Sequence, residues 1–259
     1  MSLLNVRNLS KRFGGNAAVD DISFDLKAGE LLALIGPNGA GKSTTFNMVG
    51  GQLPASAGSI LFDGRELLGV PSHRIAHMGV GRTFQIAATF ASLTVLENVQ
   101  MALLSHHRKI FSFWRAAAHR FRDEALDLLR QVNMQDQASR PCSELAYGDV
   151  KRVELAMSLA GRPRLLLMDE PTAGMAPAER NGLVALVKDL VIQKNMAVLF
   201  TEHSMDVVFA YADRIIVLAR GRLIAQGSAE EVRAHPQVQA VYFGTGKTFE
   251  AAISEGSRP

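Results

Sequence analysis

The apolar residues of the chain fall into two kinds of pattern. Short unbroken runs lie at 31–35 (Leu31, Leu32, Ala33, Leu34, Ile35), 165–168 and 197–201, each closed by glycine or a charged residue. Runs this short, apolar on both sides of the chain, suit strands buried on both faces of a sheet. Stretches at 3–13 and 18–26 are rich in Val, Ile, Leu and Phe, and Gly14, Gly15 and Asn16 between them predict a hairpin-like entry. Residues 27–30 turn the chain into the run at 31–35. A strand at 58–62 stops at Asp63 and Gly64, a strong hairpin turn pair. Residues 80–84 read as extended and end at Gln85, and 214–219 with 223–225 flank Arg220, Gly221 and Arg222 as a second hairpin.

The other pattern has helical spacing. Residues 45–49 lead to Gly50 and Gly51, a helix with a glycine stop. Pro71 opens a short helix through Met78. From about 93 to 161 the character is helical, and in 116–132 Phe121, Ala125, Leu128, Leu129 and Val132 share one face. Arg115, His119, Arg120 and Arg122 give that helix a basic side. With Trp114, the stretch 111–122 reads either as a docking surface or as a solvated helix with an apolar seam. In 178–194, Leu183, Leu186, Val187, Leu190 and Val191 make one clean stripe, and Ser228 is a candidate N-cap for 228–234. Alternating strands and helices predict an α/β core with a parallel sheet and helices on both faces, into which the helical middle is inserted. The small, polar tail at 244–259 is expected to fray.

Composition narrows the setting. The chain has 259 residues, 47% hydrophobic and 20% charged, enough for one large domain or a domain with a sizeable insertion. A net charge of +3 with no dense basic block gives no reason to expect a nucleic-acid partner. One cysteine, Cys142, allows no internal disulfide and suits a reducing cytoplasm. The N-terminus lacks a signal-peptide layout, and no apolar run approaches bilayer length. A soluble protein is expected, which can still dock on a membrane component.

The candidate chemistry centres on 36–44: Gly36, Pro37, Asn38, Gly39, Ala40, Gly41, Lys42, Ser43 and Thr44. This fits the phosphate-binding pattern G-x-x-x-x-G-K-[ST] without mismatch, between a buried strand and a helix, which is the context the motif needs. The glycines let successive N–H groups face one concavity, and the helix N-terminus adds positive potential. Lys42 can reach β- and γ-phosphates, and Ser43 offers a hydroxyl to Mg²⁺. A second acidic site is expected for the metal. Asp169, closing the run at 165–168, suits that role, and Glu170 beside it could activate an attacking water. His203 leaves the strand 197–201 at its C-terminal end, where parallel α/β sheets bind ligands, so a contact to the γ-phosphate is expected. Gln85 ends another strand in the same way. Phe13 could stack on a base or belong to the core.

The loop 36–44, Gln85, the stretch Leu145, Ala146, Tyr147 and Gly148, the run 165–170 and His203 together resemble the ATP-binding subunit of ABC transporters, in order and spacing over nearly the whole chain. The closest likeness is to the first of the two ATPase subunits of bacterial branched-chain amino-acid uptake systems. The residues that suggest it are Arg12 to Gly15, Phe46 and Asn47, Gly81 to Gln85, Leu145 to Gly148, Glu202 to Met205, and the ending Tyr242, Phe243 and Gly244. The resemblance implies a P-loop NTPase core of the ABC ATPase type: a mainly parallel sheet, an antiparallel β subdomain and a helical subdomain at about 86–162, within a domain spanning 1–244 and followed by a flexible tail, 245–259.

It also implies ATP and Mg²⁺ as ligands. Phe13 would stack on adenine, and the loop 36–44 would hold the phosphates. Ala146, Tyr147 and Gly148 would face the γ-phosphate bound by another subunit. Ser43, Gln85 and Asp169 would serve the metal, and Glu170, His203 and Gln85 the hydrolysis. The implied partners are a second ATPase subunit, head to tail and different from this one, integral membrane permease subunits, and indirectly a periplasmic or lipid-anchored solute-binding protein. The implied place is the cytoplasmic face of the inner membrane, as a peripheral subunit. Branched-chain amino acids lead as the solute, with urea, short amides and aromatic acids as rivals. A non-transport ABC ATPase is the other class, although the long coiled-coil insertion or second ATPase half typical of those proteins is missing. Three positions depart from the family pattern: Ala146, where serine is usual although alanine is common in this subfamily, Asp149, where glutamine or glutamate is usual, and Ala176, where aspartate or asparagine is usual.

Overall fold

The computed structural model describes residues 2–83, 89–107 and 121–243. Two sheets build it. β1 (Ser2–Phe13), β2 (Asn16–Lys27), β4 (Ala57–Phe62) and β5 (Arg65–Glu66) form an antiparallel sheet in the order β2-β1-β4-β5. β3 (Leu31–Ile35), β6 (Val80–Thr83), β7 (Leu165–Asp169), β8 (Ala197–Thr201), β9 (Arg214–Ala219) and β10 (Arg222–Gly227) form the other, in the order β10-β9-β3-β8-β7-β6. Every pairing in this second sheet is parallel except that of β10 with β9.

The unbroken apolar runs are explained by two cores, one on each face of the six-stranded sheet. Leu31, Ala33 and Ile35 pack on one face with Leu166, Val198, Phe200, Ile215 and Val217. Leu32 and Leu34 pack on the other with Leu167, Leu199, Ile216 and Leu218. Side chains alternate along a strand, so a strand covered on both sides must be apolar at every position. The first face is covered by α3 (Val95–His106), α4 (Arg122–Gln131), α5 (Tyr147–Leu159) and α6 (Pro177–Lys194). The second is covered by the antiparallel sheet and by α1 (Lys42–Val49), through Leu4, Ile22, Phe62, Phe46 and Met48. α2 (Ser72–His77), α7 (Met205–Tyr211), α8 (Ala229–Ala234) and α9 (Pro236–Phe243) complete the helices among the described residues. None of the described helices is long and apolar enough to cross a membrane.

Several expectations need refining. The helix after the glycine loop begins at Lys42, a turn earlier than the apolar pattern implies, because Gly41 caps it with a left-handed backbone. The helical stretch at 93–161 is not continuous. Two short 3-10 turns, Gln135–Gln137 and Cys142–Glu144, separate α4 from α5. α3 starts on a capping box, with Thr94 accepting from the Glu97 N–H while the Glu97 carboxylate accepts from the Thr94 N–H. α7 and α9 have no counterpart in the pattern, being too short to show a helical period. Phe84, Gln85, the basic stretch around Trp114 (108–120) and the tail from 244 lie outside the described residues.

Register positions the site. Asp169 at the end of β7 pairs with Thr201 at the end of β8, and β3 pairs with β8 from Leu31↔Val198 onward. The loops leaving β3, β7 and β8 therefore emerge together at one sheet edge, the edge where parallel sheets place their ligands.

Candidate functional site

The loop after β3 folds back on its own lysine. Lys42 Nζ donates to the carbonyls of Gly36 at 2.7 Å and Pro37 at 3.2 Å, and Thr45 Oγ1 donates to the Gly41 carbonyl at 2.9 Å. Gly41 has φ 103, and a β-carbon there would lie 2.6 Å from the Ala18 carbonyl oxygen, so both its conformation and its surroundings require glycine. Burial lowers the Lys42 pKa, opposed by the negative charges of Glu170 and Asp169. The loop thus presents one mostly buried cation and the N-terminus of α1 to a cleft of about 270 Å³, lined by Ala18, residues 38–44, Glu170 and His203. Larger hollows exist, including one of about 510 Å³ between α3 and α4, but the glycine loop, Glu170 and His203 meet at the smaller cleft.

Two carboxylates come from the end of β7. Asp169 Oδ1 accepts from Thr201 Oγ1 at 2.7 Å, and its other oxygen lies 3.7 Å from Arg82 Nη2. Glu170 takes a left-handed backbone, φ 49, stabilised by its N–H donating to Thr201 Oγ1 at 3.0 Å. Its carboxylate Oε1 is 2.7 Å from His203 Nε2, hydrogen-bonding distance for a ring N–H donor. Glu202, 3% exposed, accepts from the Thr172 N–H at 2.9 Å and the Thr172 hydroxyl at 2.6 Å, locking the turn after β7 against the end of β8.

The remaining expected residues divide. Phe13 is 53% exposed at the tip of the β1–β2 hairpin, with Lys11 Nζ 5.1 Å above its ring. The core alternative for Phe13 therefore fails. Gln85 lies outside the described residues. Ala146, Tyr147 and Gly148 begin α5 and do not line the cleft: Tyr147 is exposed, and Gly148 is buried against Glu179 and Met175. Asp149 Oδ1 lies 4.0 Å from Arg152 Nη1, so its charge is partly offset within α5. Ala176 caps α6 without a side-chain acceptor, and only the return contact, its N–H to the Glu179 carboxylate at 3.4 Å, is made.

Thr201, Arg82 and the Glu202–Thr172 pair escaped the sequence reading, because each acts through a contact made only once β6, β7 and β8 are in register. Thr201 is the most consequential: one hydroxyl donates to Asp169 and accepts from Glu170 N–H. Thr201→Val keeps the shape and removes both bonds, so turnover is expected to fall about 10- to 100-fold, the usual loss when a group that orients site side chains through hydrogen bonds is removed. Steady-state phosphate release checks this, and an unchanged rate contradicts it.

A model of the ABC transporter family matches residues 19–173, and a model described as branched-chain amino acid ATP-binding cassette transporter matches residues 222–248. The high-affinity branched-chain amino acid transport ATP-binding protein LivG of Salmonella typhimurium is 40% identical over 250 residues, covering 93% of this chain and 98% of that protein. BraF of Pseudomonas aeruginosa, described in the same words, is 38% identical over 249 residues, with the same shares covered. Among solved structures, an ATP-binding cassette of an ABC transporter in its ADP conformation superposes with a TM-score of 0.83 at 30% identity, covering 94% of this chain and 99% of that one. The strand–loop–helix nucleotide cleft, the carboxylates at the end of β7 and these likenesses over nearly the full length place the chain in the ABC transporter family, as an ATP-binding cassette ATPase of the branched-chain amino acid type.

Proposed function

We propose that this ATPase energises the uptake of branched-chain amino acids through a separate integral membrane permease, working as a peripheral subunit on the cytoplasmic face of the membrane. The observation that carries the reading is the convergence of Lys42, Asp169, Glu170 and His203 on one sheet edge. The match of residues 222–248 to the branched-chain amino acid cassette model supports the solute class.

The donor set fits a magnesium nucleotide. Ser43 and Asp169 supply hard oxygens, and among the described residues no group of three or more potential ligands forms a metal cage. That suits Mg²⁺, which keeps several waters and is usually held by one or two protein oxygens plus phosphates. Ser43 and Asp169 would hold Mg²⁺ there, and the bound ion would offset the negative charge of the phosphates. Lys42 and the loop N–H groups of 36–44 hold the phosphates, Phe13 offers a face to adenine, and Glu170 accepts the proton of the attacking water. His203 holds the Glu170 carboxylate in place and contacts the γ-phosphate, which Gln85 also senses.

Ala146, Tyr147 and Gly148 stand apart from this cleft, so a second ATPase subunit arranged head to tail is needed to present such a segment to it. In that arrangement Asp149 and Ala176 both fall on the partner's site. The site on this chain's own loop then hydrolyses faster, provided the partner's signature segment is intact. The helices inserted between β6 and β7, at about 86–162, face the permease, with the stretch around Trp114 as part of the contact. A solute-binding protein on the outer side delivers the amino acid.

Reconstitution tests this. The chain is combined in proteoliposomes with its permease, the second ATPase and the binding protein, with ATP on the ATPase side. Leucine, isoleucine and valine are expected to accumulate in an ATP-dependent manner. Accumulation of urea, amides or aromatic acids instead would reassign the solute, and no ATP-dependent uptake with intact hydrolysis would reject a transport role.

A further inference from the structure

We propose that Arg82 is a positioning residue for the metal site, holding the Asp169 carboxylate at a set distance from the helix that carries Ser43. The inference rests on the nucleotide reading above and concerns a residue that lies outside both the glycine loop and the carboxylate strand.

Arg82 sits in β6, the edge strand of the six-stranded sheet, where it pairs with Leu167 of β7. Its side chain is only 15% exposed and lies between two elements. Toward α1, Nη2 donates to Asn47 Oδ1 at 2.9 Å, and Nη1 donates to Gln52 Oε1 at 2.5 Å just beyond the end of that helix. Toward β7, Nη2 lies 3.7 Å from Asp169 Oδ2. Gly50 leaves the room for this approach, since a β-carbon there would sit 3.2 Å from Nη1.

The geometry has a direct consequence for the metal ligands. Asn47 lies four residues after Ser43 on α1, so the two share a helix face one turn apart. Asp169 is held on one oxygen by Thr201 and faces Arg82 with the other. The guanidinium therefore spans the two elements that carry Ser43 and Asp169. A planar fork with several fixed donors can do this, whereas a lysine ammonium offers one compact charge and cannot reproduce the span. Groups that orient ligands in this way typically control metal affinity without touching the metal.

The test measures ATP binding to the full-length chain, in EDTA and across a Mg²⁺ titration. Arg82→Gln is expected to leave the metal-free affinity unchanged and to raise the Mg²⁺ concentration for half-maximal tightening about 10- to 100-fold. Arg82→Lys recovers only part of that shift. Asn47→Ala, which removes one anchor and keeps the arginine, gives a smaller shift in the same direction and serves if Arg82→Gln does not fold. The proposal is overturned if the Mg²⁺ requirement stays at the wild-type value. Equal weakening of metal-free and metal-bound ATP also overturns it, since that reports a general structural tie. If the wild-type chain itself binds ATP without any response to Mg²⁺, the metal reading of Ser43 and Asp169 fails first, and the proposal falls with it.

Discussion

Replacing Glu170 by glutamine is expected to leave ATP bound while turnover falls by about a hundred- to ten-thousand-fold, the usual contribution of a positioned general base. The geometry makes the comparison clean. Glu170 Oε1 is 2.7 Å from His203 Nε2, and an amide oxygen can accept the same hydrogen bond. The backbone of Glu170 is held at φ 49 by bonds from its N–H to Thr201, which the substitution does not touch. What changes is the ability to take a proton from water. In the assembled transporter, phosphate release from this chain's site should fall by that factor while nucleotide remains on the chain. Near wild-type release would remove Glu170 from its role as base. In the proposed head-to-tail arrangement, and with the partner's own signature intact, the matching change in the second ATPase should cost less, because its site would face the two segments of this chain that carry Asp149 and Ala176. Equal or greater loss from the partner's change would reject the asymmetry.

The parts of this site that the sequence made legible share one property: each is encoded locally. Gly36 to Thr44 is a contiguous phosphate loop between an apolar run and a helix. Asp169 and Glu170 close an apolar run directly, and His203 follows another within two residues. The apolar runs were readable as doubly covered strands because residues 31–35 alternate between two cores and so carry no polar position. What escaped is encoded between elements. Thr201 looks like the last residue of a strand until the pairing of β7 with β8 sets it opposite Asp169. Arg82 reads as one residue of an extended run until β6 is placed beside β7 and within reach of α1. The residue pattern alone leaves Phe13 open for the same reason, since exposure at a hairpin tip depends on what the rest of the fold leaves uncovered. α7 and α9 fail differently: at 7 and 8 residues they are too short for a helical period to emerge, and the 6-residue α2 and α8 are legible only through Pro71 and the Ser228 cap.

Removing the Lys42 side chain acts on the other half of the reaction, the holding of the nucleotide. Lys42 Nζ is 2.7 Å from the Gly36 carbonyl and is mostly buried, so the loop wraps around its ammonium group. Burial works against its charge, and the nearby Glu170 and Asp169 work for it. A polyphosphate in the cleft would add negative charge beside the same ammonium and strengthen its charged form. Lys42→Ala therefore removes both a charge-assisted contact to phosphate and a brace of the loop. Hydrogen bonds to charged groups contribute about 1.5–3 kcal/mol each, so ATP affinity is expected to fall about 10- to 100-fold or more. The two substitutions should separate cleanly. Glu170→Gln keeps binding and loses turnover, whereas Lys42→Ala loses binding, measured with a fluorescent ATP analogue on the full-length chain. Thermal unfolding without nucleotide serves as the control for the brace, and at the same ATP concentration the midpoint should rise less in Lys42→Ala than in the wild-type chain. An unchanged ATP affinity in Lys42→Ala would contradict the assignment of residues 36–44 as the phosphate-holding loop.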